Sequence, residues 1–102
     1  MCYDRAVKPS EALEKHREEI RRATQRYGLA NPRVFGSAAR GDDREDSDLD
    51  LLVDVGAQTT LFDLNGLSED LRALLGVPVD VVTSTGLHRR IRMRVFKEAK
   101  PV

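Results

Sequence analysis

The first clear periodicity along the chain is helical. Leu13, Ile20, Ala23 and Tyr27 recur at helical spacing, and basic residues crowd the stretch before Gly28. Ser10 suits an N-cap, Glu11 and Glu14 complement the positive end of a helix dipole, and Gly28 can stop the helix. An amphipathic helix is therefore predicted over 11–27. It follows a loose arm, residues 1–9, that shows no periodicity and closes on Pro9. After Asn31-Pro32, Arg33 to Phe35 read as a short strand halted by Gly36, and Ser37 to Arg40 as a helical turn closed by Gly41. From Asp48 the period falls to two. Leu49, Leu51, Val53 and Val55 take one face of a strand, and Asp48, Asp50, Leu52 and Asp54 the other.

A second amphipathic helix carries Leu61, Leu64, Leu67, Leu71, Leu74 and Leu75, with an interruption expected at Asn65-Gly66, a fresh N-cap at Ser68 and an end at Gly76. Leu61, Phe62 and Leu64 are assigned to the core. Val77 to Thr83 is a valine-rich third strand whose one charge is Asp80. In the last segment Leu87, Ile91, Val95 and Phe96 fit a helix, while Ile91, Met93 and Val95 alternating with arginines fit a strand; the longer stripe favours the helix. The element order predicts an α/β sandwich around a small sheet.

Size and charge narrow what such a fold can do. A chain of 102 residues with 40% hydrophobic content is expected to be one domain spanning 1–102. Lys plus Arg and Asp plus Glu number 17 each, so no net field draws the chain to nucleic acid or a membrane. The single cysteine, Cys2, forms no internal disulfide, and the opening residues lack the apolar stretch of a signal peptide. A cytoplasmic protein is expected.

The chemistry concentrates between residues 36 and 80. Side chains two apart in a strand share a face, so Asp48 and Asp50 project together. Neighbouring carboxylates repel unless a cation lies between them, and magnesium commonly takes one or two carboxylates plus substrate phosphates. Asp80 joins this pair if the third strand lies beside the second. Upstream, Gly36-Ser37 ends a strand and starts a helical turn, where backbone N–H groups can hold phosphate oxygens and the Ser37 hydroxyl adds a donor. Phosphate cradle and carboxylates together suit a nucleoside triphosphate with two metal ions.

Gly36-Ser37, ten intervening residues, Asp48-Leu49-Asp50 and the distal Asp80 resemble the signature of the DNA polymerase β nucleotidyltransferase superfamily. The fuller strings Gly36-Ser37-Ala38-Ala39-Arg40-Gly41 and Ser47-Asp48-Leu49-Asp50-Leu51-Leu52-Val53 are similar to its minimal nucleotidyltransferases, the MNT family. The resemblance runs from about residue 12 to residue 98 and implies a polymerase β-like α/β fold, a small mixed sheet flanked by helices. It implies transfer of a nucleoside monophosphate, AMP from ATP above all, with release of pyrophosphate. By the same resemblance Gly36 and Ser37 bind the triphosphate, Asp48 and Asp50 ligate two Mg²⁺ ions, and Asp80 is a third ligand beside the acceptor hydroxyl. It further implies an antitoxin role toward a HEPN-domain toxin, a tyrosine of which receives the AMP.

Other residues have plainer readings. Asp42, Asp43, Glu45 and Asp46 are expected to form a solvated turn. A calcium loop starting at Asp46 is excluded, because Leu51 and Ala57 stand where it needs glycine and glutamate. Arg40 is divided between capping the turn, pairing with the acidic loop and orienting phosphate; Ser47 is expected to orient the loop or support Asp48 by hydrogen bonding, on the nucleotide-binding side. His16 reads as a packing or partly exposed residue, not a ligand, and Tyr3 and Tyr27 have no assigned chemistry. The tail after Gly86 is rich in arginine but lacks interleaved aromatics, which favours docking of an acidic partner over nucleic-acid binding. The competing function is a non-catalytic module that neutralises its partner by binding it.

Overall fold

The structure, a computed structural model, describes residues 8–83 and 89–102. The arm residues 1–7, with Cys2 and Tyr3, and Leu87 of the last apolar stripe lie outside the described residues. The elements are α1 (Pro9–Lys15), α2 (Arg17–Arg26), β1 (Ala30–Phe35), α3 (Ser37–Arg40), β2 (Leu49–Asp54), α4 (Leu61–Leu75), β3 (Val79–Thr83), α5 (Arg89–Glu98) and β4 (Lys100–Pro101). The four strands form one mixed sheet in the order β3-β2-β1-β4. β2 runs antiparallel to β1 and parallel to β3, while β4 pairs antiparallel with β1. The parallel pair requires a crossover, which α4 supplies.

One face of this sheet carries the core. Leu49, Leu51 and Val53 of β2, Val34 of β1 and Val79 of β3 pack with Leu13, Ile20 and Ala23 of α1 and α2 and with Leu67, Leu71 and Leu75 of α4. Each leucine fully buried there contributes about 2 kcal/mol. The period of two in β2 holds on this face. On the opposite face Leu52 is also fully buried, where only acidic neighbours surround it in the sequence pattern. That end of the face lies toward α5: Arg33, paired across from Leu52, sets its guanidinium over the Phe96 ring at 5.7 Å.

Several expectations are corrected. The first helix is broken into α1 and α2 at His16, whose backbone leaves helical geometry (φ −123°, ψ 26°) and whose ring pairs with Glu19 at 2.9 Å. Ser10 is not the N-cap; Lys8 is, and Pro9 is the buried first helical residue, not the end of an arm. Proline suits that place because its missing N–H would have no acceptor there. Ser10 is taken up by Asp43, which accepts from its backbone N–H (2.8 Å) and its hydroxyl (2.9 Å). Asp43 is therefore 5% exposed, against the solvated turn expected for it.

The helix α4 runs unbroken through Asn65-Gly66 from an N-cap at Thr60, whose hydroxyl accepts from the Asp63 N–H while the Asp63 carboxylate accepts from the Thr60 N–H. Gly66 is a packing glycine: a Cβ there would stand 2.6 Å from the Tyr27 ring. Tyr27 itself donates to Asp70 at 2.6 Å. Ser68 caps nothing and donates to the Val79 carbonyl at 2.7 Å, tying α4 to β3. Leu61 and Phe62 are not core; they are 75% and 86% exposed in the first turn of α4, and only Leu64 packs partly inward. Val55, expected on the core face, lies beyond β2 and is exposed. The helical reading of the tail holds for Arg89–Glu98, although Ile91 and Phe96 are largely exposed and only Val95 is buried. The short β4 was not anticipated. Among the described residues no helix is long and apolar enough to cross a membrane.

Candidate active site

The candidate site lies at the end of the sheet where β1 stops, β2 and β3 begin, and α3 leaves. Parallel pairing sets Asp50 directly beside Asp80, and antiparallel pairing sets Phe35 on the other side of Asp50. Neighbouring strands stand about 4.8 Å apart, so these three side chains form one row across the sheet. Val79 is buried and Val81 packs against the core, which turns Asp80 outward as alternation requires. Asp48, two residues before Asp50, shares its face just ahead of the strand.

Gly36 closes the row from above. It stands at φ +74°, a conformation that favours glycine, and a Cβ on it would come within 2.5 Å of the Asp50 Oδ2. The backbone therefore passes close over a carboxylate, and α3 starts at that point. The Gly36 carbonyl accepts from the N–H groups of Ala39 and Arg40, and Gly41 in the left-handed region ends the turn. The N–H groups of Ser37 and Ala38 have no acceptor within so short a helix. The Ser37 hydroxyl makes no hydrogen bond among the described residues.

The electrostatics of the row are those of uncompensated charge. Burial pushes the Asp50 carboxyl up to about 6; the negative charges of Asp80 and Asp48 add to this, and Arg40 opposes it. None of the three aspartates has a hydrogen-bonding or ion-pairing partner among the described residues. They do not form a closed cage, however: among those residues no group of three or more His, Cys, Asp or Glu side chains is drawn together tightly enough to hold a metal ion. The register aligns the carboxylates without clasping them, as mutual repulsion dictates. Unpaired oxygen donors, half-buried at Asp50 and exposed at Asp48 and Asp80, fit a hard divalent cation.

The remaining sequence candidates are tied to the rim. Arg40 is held by Asp42 (3.3 Å) and by Glu98 of α5 (3.2 Å). Ser47 shapes the acidic loop, its Oγ accepting from the Arg44 N–H at 2.9 Å. Two rim residues were not legible in the sequence. Asp43 looked like its acidic neighbours, and nothing local marked Ser10, 33 residues away, as its partner. Glu98 stands 58 residues from Arg40. The site is an open shelf; a cavity of about 710 Å³ elsewhere in the molecule is lined by Ser10, Leu13, Arg17 and Ala38 and includes none of the three aspartates.

Comparison with known proteins agrees with the fold. Residues 13–102 match the nucleotidyltransferase domain family. The protein adenylyltransferase MntA of Thermococcus cleftensis is 41% identical over 86 residues, covering 84% of each chain. Among solved structures, one assigned as a minimal nucleotidyltransferase superposes with a TM-score of 0.83 at 47% identity, covering 91% of this chain and 95% of the other. The fold is also that of a toxin–antitoxin structure solved with AMP-PNP, at a TM-score of 0.69, 19% identity, and coverage of 91% and 71%. With the family match spanning nearly the whole chain, this protein belongs to the nucleotidyltransferase domain family, among its minimal members, and is a nucleotidyltransferase.

Proposed function

We propose that the chain is a magnesium-dependent protein adenylyltransferase of the cytoplasm that moves AMP from ATP to a tyrosine hydroxyl of a HEPN-domain toxin, and so serves as its antitoxin. The observation that carries this reading is the register of Asp50 beside Asp80 under Gly36, three residues of unpaired acid and bare backbone at one strand end. Its similarity to MntA, a protein adenylyltransferase, supports the choice of AMP and of a protein acceptor.

In this reading Asp48, Asp50 and Asp80 would hold two Mg²⁺ ions together with the phosphates of the bound triphosphate. When bound, the ions offset the charge of the triphosphate and of the developing pyrophosphate. The chain's own residues do the rest. Gly36 lets the triphosphate approach the backbone, and Ser37 donates its hydroxyl and N–H to phosphate oxygens. Arg40 and Ser47 line the nucleotide side. Asp80, on the outer strand of the row, accepts the proton of the acceptor hydroxyl as that oxygen bonds to the α-phosphorus. The bond from the α-phosphorus to the bridging oxygen breaks, and pyrophosphate leaves. An open shelf suits a folded protein as acceptor.

The test is transfer of label from α-labelled ATP to a HEPN partner in the presence of magnesium. Wild-type protein is expected to label it and Asp48→Asn to lose labelling while keeping its fold by circular dichroism. Undiminished labelling by Asp48→Asn would remove the metal role. A partner bound and silenced equally well by Asp48→Asn would instead establish the non-catalytic alternative.

A further inference from the structure

Apart from Glu98 at the rim, the arginine-rich tail has no part in the site above, yet it forms a regular surface. In α5, Arg90, Met93, Arg94 and Lys97 fall at i, i+3, i+4 and i+7 and so share one face. Met93 is 74% exposed, and all three cations around it are exposed. No carboxylate lies within ion-pairing distance of Arg90, Arg94 or Lys97 among the described residues. The one acid of the helix, Glu98, is already engaged by Arg40. An apolar centre with a rim of one sign is the anatomy of a protein interface, and its unpaired cations call for carboxylates.

The position of α5 gives this face a purpose. Phe96 lies under Arg33, and Arg33 is one row along the sheet from the row of Phe35, Asp50 and Asp80. Two residues of strand are about 7 Å. The Arg40–Glu98 pair joins α5 to the turn that starts at Gly36. A protein seated on α5 would therefore lie on the side of the sheet that carries the acidic row.

We propose that the Arg90–Met93–Arg94–Lys97 face docks an acidic segment of the acceptor protein, one with an apolar side chain that covers Met93. This rests on the reading of the acidic row as the transfer site, and it adds the means by which the acceptor is chosen. Single-stranded RNA could also meet the cations, but Met93 offers no ring on which a base would stack, and the one aromatic of α5, Phe96, already has the Arg33 guanidinium over one ring face.

The experiment selects short random peptides on the immobilised full chain and measures affinities of the enriched peptides by fluorescence anisotropy. Enriched peptides are expected to combine Asp or Glu with a Leu, Met or Phe. Their affinity should fall at least tenfold in R90E/R94E and severalfold in M93A, which leaves the charge unchanged. Enrichment of uncharged peptides, or equal binding by R90E/R94E, would overturn the proposal. So would a short RNA that binds the wild-type chain more tightly than the acidic peptides and loses affinity in R90E/R94E. The wild-type chain is titrated in parallel with magnesium and a non-hydrolysable ATP analogue. Failure there counts against the transfer site alone, since the peptide result depends only on α5.

Discussion

Asp50 and Asp54 lie four residues apart on the same face of the same strand, and the protein treats them in opposite ways. Asp54 accepts from Asn31 at 2.7 Å and from Arg33 at 2.6 Å, and those bonds, the Asn31 one foremost, hold its carboxyl below the usual range. Asp50 is half-buried beside two further acids, lacks any such partner, and is pushed up to about 6. A strand that can satisfy one carboxylate fully has left another exposed to repulsion. The first secures the sheet, since it links β1 to β2; the second is the one we propose receives a ligand.

Substitution should separate the two roles most sharply in activity. Asp50→Asn is expected to lower nucleotidyl transfer by about three orders of magnitude, as for loss of a group that acts on the transition state. Asp54→Asn should leave the transfer rate within about twofold, measured at saturating nucleotide. Equal losses in both would erase the distinction. Next in size is Gly36→Ala. Its methyl group would meet Asp50 Oδ2 at 2.5 Å on a backbone at φ +74°, so a loss of about 1–2 kcal/mol in urea unfolding is expected together with loss of nucleotide binding.

These roles were only partly readable beforehand. The alternation of Leu49, Leu51 and Val53 is strong because one face is dry, and it fixed both the strand and the direction of Asp48 and Asp50. The placement of Asp80 followed once β3 lay beside β2. What failed depended on contacts distant in sequence. Gly66 looked like a helix breaker and is instead the space that Tyr27 fills. Asp43 looked solvated until Ser10 reached it. Leu61 and Phe62 match a core stripe by type, but α4 meets the sheet only from Leu64 onward. Local pattern reports which residues can be buried, and the packing partner decides which are.

Smaller effects should appear in stability. Asp54→Asn removes the Arg33 ion pair, in which Arg33 is 21% and Asp54 41% exposed, so about 1 kcal/mol is the expected cost. Asp50→Asn should go the other way. Because the folded-state proton of Asp50 is held up to about 6, wild-type protein loses stability as pH rises from about 4 to 6, and the loss persists above that. Without divalent cations, Asp50→Asn should therefore melt a few degrees above wild type at pH 8 and level with it near pH 4. A melting temperature below that of wild type at pH 8 would mean that Asp50 has a favourable partner after all.

The central claim is that the unpaired row around Asp50 receives a metal–triphosphate complex. Isothermal titration with a non-hydrolysable ATP analogue, with and without magnesium, addresses it directly in wild type, Asp50→Asn and Asp54→Asn. Magnesium-dependent binding is expected for wild type and Asp54→Asn, with its loss in Asp50→Asn. Binding by Asp50→Asn as tight as that of wild type, or binding indifferent to magnesium, would contradict it.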